Sequence, residues 1–167
     1  MSEAWDNELL EGLGELFSKA GGKVSTEELS GKKVLVIESD EAGGIEDANI
    51  TVEHFPEDIT VISLLFSVAS DLDEKARKDI TALLPYLNRC LTIGNFGITA
   101  QDGYFYFRTA FVIDEASDRD ILFRTIASTF GIAVVTADEA AKLTAPVIRG
   151  EKPVSELMND DTGIIQF

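Results

Sequence analysis

The stretch from Asp73 to Ile113 constrains the fold more than any other part of the chain. An apolar stripe at helical spacing (Ala76, Ile80, Leu83, Leu84, Leu87, Leu91) leads into Gly94-Asn95-Phe96-Gly97 and a turn at Gln101-Asp102-Gly103. The next segment, Tyr104-Phe105-Tyr106-Phe107-Arg108-Thr109-Ala110-Phe111-Val112-Ile113, is apolar or aromatic at nearly every position. Side chains on a strand alternate between the two faces of its sheet. Phe105, Phe107, Phe111 and Ile113 therefore point one way, and Tyr104, Tyr106, Arg108, Ala110 and Val112 the other. A strand apolar on both faces needs cover on both sides of the sheet. The first set is expected to meet helices. The second combines phenol rings with a guanidinium, residue types enriched in the cores of protein interfaces. It calls for a partner polypeptide, a second copy of the chain, or cover from the chain's own terminal segments.

The remaining elements follow from periodicity. Trp5, Leu9, Leu10, Leu13, Leu16 and Phe17 recur at helical spacing up to Gly21-Gly22. Gly12 and Gly14 weaken that helix, so docking must stabilise it. Ser25 to Lys32 reads as a polar connector, and Lys33 to Ser39 as a short strand. A second strand spans Asp47 to Phe55, with Ile50 and Val52 on one face. After a Pro56-Glu57-Asp58 turn, a third spans Ile59 to Ala69. Here Val61 and Leu65 face opposite to Ile62, Leu64, Phe66 and Val68, so both faces are again apolar.

Ser70-Asp71-Leu72-Asp73 supplies N-cap candidates for the middle helix, in which Pro85 is expected to kink the helix or thin its hydrogen bonds. Ile93 to Ala100 and Tyr104 to Ile113 form a hairpin around Asp102-Gly103. Ser117-Asp118 caps a last major helix that runs through Ile121, Leu122, Ile126, Phe130, Val134, Ala137 and Ala141 to Val147 or Ile148. Gly131 and Val134-Val135 allow either one bent helix or two. Pro153 to Met158 adds a turn, and residues 159–167 are expected to be a mobile tail beyond a single domain of residues 1–158. The expected order is helix, three strands, helix, two strands, helix. Strands and helices do not alternate singly, which points to an α+β two-layer sandwich on an antiparallel sheet.

Charge narrows the partners. Thirty Asp and Glu against fourteen Lys and Arg give a net charge of -16 over 167 residues. Such a chain repels phosphate backbones and anionic lipid, so the expected partners include neither nucleic acid nor membrane. The acids either keep the protein soluble or attract a basic partner. The N-terminus lacks a basic region followed by an apolar one, and the Ile59–Ala69 run is too short to cross a bilayer as a helix, so the expected location is cytoplasmic.

The element order resembles the secretion-chaperone-like fold, shared by type III secretion chaperones and the YbjN-like family of proposed sensory-transduction regulators. The residues that carry the YbjN-like resemblance are Leu87-Asn88, Gly94-Asn95-Phe96-Gly97, Asp102-Gly103 and Phe107-Arg108. Val147-Ile148-Arg149-Gly150-Glu151 and Val154-Ser155-Glu156-Leu157 add to it. The resemblance implies a small, acidic, dimeric regulator or chaperone that acts by binding, with no catalytic residue to carry over.

No constellation of chemistry is expected. His54, the single histidine, continues the Ile50–Val52 face beside Glu53 and Glu57 and reads as a hydrogen-bonded or solvated edge residue. One His and the single Cys90 cannot complete a zinc site. Cys90, near a helix C-terminus, reads as a packed structural thiol. Asp71-x-Asp73 starts like a calcium loop but places Lys75 and Ala76 where an acid and a glycine are needed. Gly21-Gly22 and Gly43-Gly44 read as turns, without the downstream Lys-Ser/Thr of a phosphate loop. The expectation is thus a non-enzymatic, homodimeric protein-binding module without cofactor or metal. Its partner or dimer surface is Tyr104, Tyr106, Arg108, Val61 and Leu65. A carboxylate-based hydrolase is the alternative, since the spatial separation of acid pairs is hidden from the sequence.

Overall fold

A computed structural model describes residues 3–29, 31–38, 44–56, 59–89, 91–99, 101–114 and 118–159. The elements in chain order are α1 (Glu3–Lys19), β1 (Lys23–Leu29), β2 (Lys32–Glu38), β3 (Asp47–Phe55), β4 (Ile59–Ala69), α2 (Glu74–Arg89), β5 (Asn95–Ile98), β6 (Phe105–Ile113), α3 (Arg119–Ile148) and α4 (Val154–Asn159). The six strands form one antiparallel sheet in the order β1-β2-β3-β4-β6-β5. The molecule is an α+β two-layer sandwich.

One element departs from the expected order. The polar segment Ser25 to Lys32, expected as a connector, supplies most of β1 and the first residue of β2. Only Val24 in β1 is even half-buried. Its extended shape comes from pairing with β2, Lys23 opposite Glu38 through Leu29 opposite Lys32, and not from a buried face. Four strands, not three, therefore precede α2.

The core lies between the helices and one face of the sheet. Leu35 and Ile37 of β2, Ile50 and Val52 of β3, Ile62, Leu64 and Phe66 of β4, and Phe105 and Phe107 of β6 are all buried there. These residues share a face by register: Leu35 pairs with Ile50, Ile50 with Leu64, and Phe66 with Phe107. Phe130 of α3 packs tilted against Phe66, with ring centroids 5.2 Å apart, and against Phe17 of α1 at 4.5 Å. Gly12 of α1 faces the Phe123 ring of α3. A Cβ there would stand 2.6 Å from Phe123 Cζ, so the residue that weakens α1 locally is what admits the ring. α3 runs unbroken for 30 residues through Gly131, which is exposed. Ile126 before it and Ala133 and Ala137 after it are buried, and their packing outweighs a glycine penalty of about 1 kcal/mol. By length and composition alone α3 is also apolar enough to span a membrane.

The caps match the sequence. Asp73 accepts from the Ala76 amide at 2.7 Å, and Asp118 accepts from the Asp120 and Ile121 amides. Asp73 is thus a helix cap. Cys90, Gly43, Glu57, Asp58, Ser117 and the tail 160–167 lie outside the described residues.

Candidate functional site

No described helix packs on the second face of the sheet. The register places its rows. Ser25, Val36, Asn49, Leu65, Arg108 and Asn95 run side by side from β1 to β5. The row to one side holds Glu27, Val34, Thr51, Ser63 and Ala110. The row to the other holds Asp47, Ser67, Tyr106 and Gly97. Leu65 and Arg108 are thus direct cross-strand partners, and Tyr106 is Arg108's neighbour along the face.

Long side chains lie flat and shield short ones. Arg108 reaches back to donate to Ser63 Oγ at 3.3 Å, and Ser63 is buried beneath it. Tyr104 lies against Ser67, 1 % exposed, with their oxygens 2.5 Å apart. Ser67 Oγ donates its own proton to Asp47 Oδ1 at 2.6 Å, so the Tyr104 hydroxyl is the donor to Ser67. Asn49 Nδ2 also donates to Asp47, at 2.9 Å. This network fixes Tyr104. Its burial pushes the phenol up from the usual tyrosine range, and the Asp47 and Glu46 charges reinforce the shift. Tyr106 stacks on Tyr104, centroids 5.8 Å apart and planes 26° from parallel. Its ring occupies the space over Gly97, where a Cβ would stand 2.5 Å from the ring.

A groove of about 440 Å³ crosses this face from the β1–β2 corner to the β5–β6 corner. Leu29, Val34 and Leu65 line it with Tyr104, Tyr106 and Arg108. Of the five expected surface residues, four meet in this groove. Val61 lies on the same face but outside the groove, paired with Glu53 and Val112. It belongs to a separate apolar corner with Phe55, Ile59 and Val112, which are 49 %, 40 % and 68 % exposed. The wall from β1 to β3 (Leu29, Lys32, Val34, Asn49 and Thr51) is the part sequence reasoning missed. The Lys32-x-Val34-x-Val36 alternation carried a signal, but without β1 nothing placed it opposite the tyrosines.

A second cavity of about 440 Å³ lies between α1 and the β1–β2 end of the sheet, lined by Asp6, Asn7, Glu28, Lys33, Glu53 and His54 among others. Here His54 Nε2 meets Asp6 at 2.8 Å and its Nδ1 meets Thr60 Oγ1 at 3.0 Å. The connectivity is that of a carboxylate–imidazole–hydroxyl relay, but Thr60 is fully buried and offers no oxygen to a substrate. Its chemistry is that of a tie between α1 and the sheet. Lys32 engages Glu53 at 3.0 Å. Among the described residues no group of three or more His, Cys, Asp or Glu could hold a metal ion.

Comparison with protein-family models and with curated proteins gives no match to this chain.

Proposed function

We propose that this chain is a non-enzymatic polypeptide-binding module, chaperone-like or an adaptor, that works as a homodimer. The observation that carries the reading is the sheet face on which no described helix packs, whose groove is walled by Leu65, Val34 and a stacked tyrosine pair. Apolar and aromatic area of this kind stabilises a complex when a partner excludes water from it. The resemblance of the sequence to YbjN-like and secretion-chaperone-like proteins points the same way. The net charge of -16 supports protein partners over nucleic acid or anionic membrane, and a cytoplasmic setting. In this reading the exposed corner of Phe55, Ile59, Val61 and Val112 joins two copies and leaves the groove to the client.

The test is a set of three substitutions with light scattering, circular dichroism and client capture. Val112→Glu converts a dimer to a folded monomer, and Tyr106→Glu abolishes client binding in a folded protein. Phe107→Ala, on the buried face, costs about 3–5 kcal/mol of stability. If Tyr106→Glu destabilises the chain as much as Phe107→Ala does, the outer face is core and the reading fails.

A further inference from the structure

Most charge on the described outer face is paired off; Arg108 at its centre and Glu27 on the β1 edge are not. Lys32 meets Glu53 at 3.0 Å, Lys23 lies 4.0 Å from Glu38, and Asp47 is held by Ser67 and Asn49. Arg108 sits between Leu65 of β4 and Asn95 of β5. Among the described residues its guanidinium is held only by the Ser63 hydroxyl, at 3.3 Å. A guanidinium offers five N–H donors in a planar fork matched to a carboxylate, and one neutral hydroxyl leaves most of them to solvent. In a chain with thirty acidic residues, no described carboxylate reaches it. Around it, Leu65, Val34 and the Tyr104–Tyr106 stack are apolar walls. A charge pair closed over by such walls loses water, and its hydrogen bonds strengthen.

We propose that the groove binds an extended acidic–apolar segment of a partner protein. A carboxylate of that segment forms a two-point pair with Arg108, and the apolar side chains on either side rest on Leu65, Val34 and the tyrosines. The inference rests on the polypeptide-binding reading above and narrows it to one class of partner. The overall charge of -16 opposes an acidic partner at long range. At physiological salt, however, exposed charges beyond about 8 Å are largely screened. Contact chemistry inside the groove then decides.

The experiment pans a random decapeptide display library on the folded full-length chain, then measures one enriched peptide by fluorescence anisotropy. The expected peptides carry Asp or Glu between apolar residues. Replacing that acid by its amide, or Arg108→Gln in the protein, weakens binding by about tenfold or more. The amide peptide no longer distinguishes wild type from Arg108→Gln, and Arg108→Lys is intermediate because an ammonium makes a one-point contact. Circular dichroism of Arg108→Gln and Arg108→Lys matches wild type. Enriched peptides without acid preference, or affinity unmoved by Arg108→Gln, overturn the acid assignment while polypeptide binding stands. If no peptide enriches, or if enriched peptides ignore both Tyr106→Glu and Arg108→Gln, the groove reading falls as well. Loss of the dimer in Arg108→Gln, with no peptide enriched, overturns the proposal by making a second copy the occupant.

Discussion

Replacing Asn88 with Ala removes two hydrogen bonds from one peptide segment. Asn88 Oδ1 accepts from the Phe96 amide at 2.6 Å, and its Nδ2 donates to the Phe96 carbonyl at 3.0 Å. The side chain of α2 thus pairs with β5 as a neighbouring strand would, on a strand only four residues long. Two such bonds contribute about 1–3 kcal/mol together. Ala is the better helix former by up to about 0.7 kcal/mol, which offsets part of the loss. Phe96 is 2 % exposed, so water reaches the freed groups poorly and the upper part of the range applies. The expected net cost is about 2 kcal/mol, a fall of roughly 1 M in the urea midpoint at unchanged slope. Urea unfolding followed by far-UV circular dichroism and by fluorescence of the single Trp5 measures it. Asn95→Ala is the control: its amide stands 3.5 Å from the same carbonyl, so the change stays within about 0.5 kcal/mol. Asn88→Asp keeps the acceptor but turns a carboxylate oxygen on the Phe96 carbonyl. Its cost shrinks as acid protonates it and restores a donor. Asn88→Ala no more costly than Asn95→Ala would refute the pairing argument.

Tyr104 holds its proton to higher pH in the folded chain than in the unfolded one, because burial raises its pKa above 10.0. Below the unfolded value both states are protonated and Tyr104 adds no pH dependence. Above it the unfolded state alone ionises, so stability falls until the folded pKa is passed. Absorbance titration of the phenolates should show a late-ionising tyrosine in the wild type that is missing in Tyr104→Phe. Removing the tie between α1 and the sheet by His54→Ala costs about 1 kcal/mol, since the ring is partly exposed and its contacts to Asp6 and Thr60 are lost. Hydrogen exchange should quicken in the first turns of α1 and not in β6. Equal quickening in both elements would mean that His54 supports the whole core.

Much of the fold was legible because period and burial agree. Asp47–Phe55 and Ile59–Ala69 were readable to the residue because alternation coincides with a face packed against helices. The split of β6 into Phe105 and Phe107 on one side and Tyr106 and Arg108 on the other follows from the same period of two, as does the grouping of Arg108 with Leu65 on one face. The histidine's place at the end of its strand was readable as well. Its partner Asp6, 48 residues away, was not, because that contact depends on where α1 docks.

What the sequence determined by itself was local: which segments are helical, which are extended, and which side chains alternate toward the core. Those depend on spacing within one element, and a dozen residues carry the information. Tertiary structure alone decided that β1 is a strand, since its polar residues are extended through pairing with β2 rather than through burial. It also decided that α1, α2 and α3 pack on one face, and that Leu29 and Val34 stand across a groove from Tyr104 and Arg108. Strand order sets those distances, and it follows from the packing of the whole chain, which no single stretch of sequence encodes.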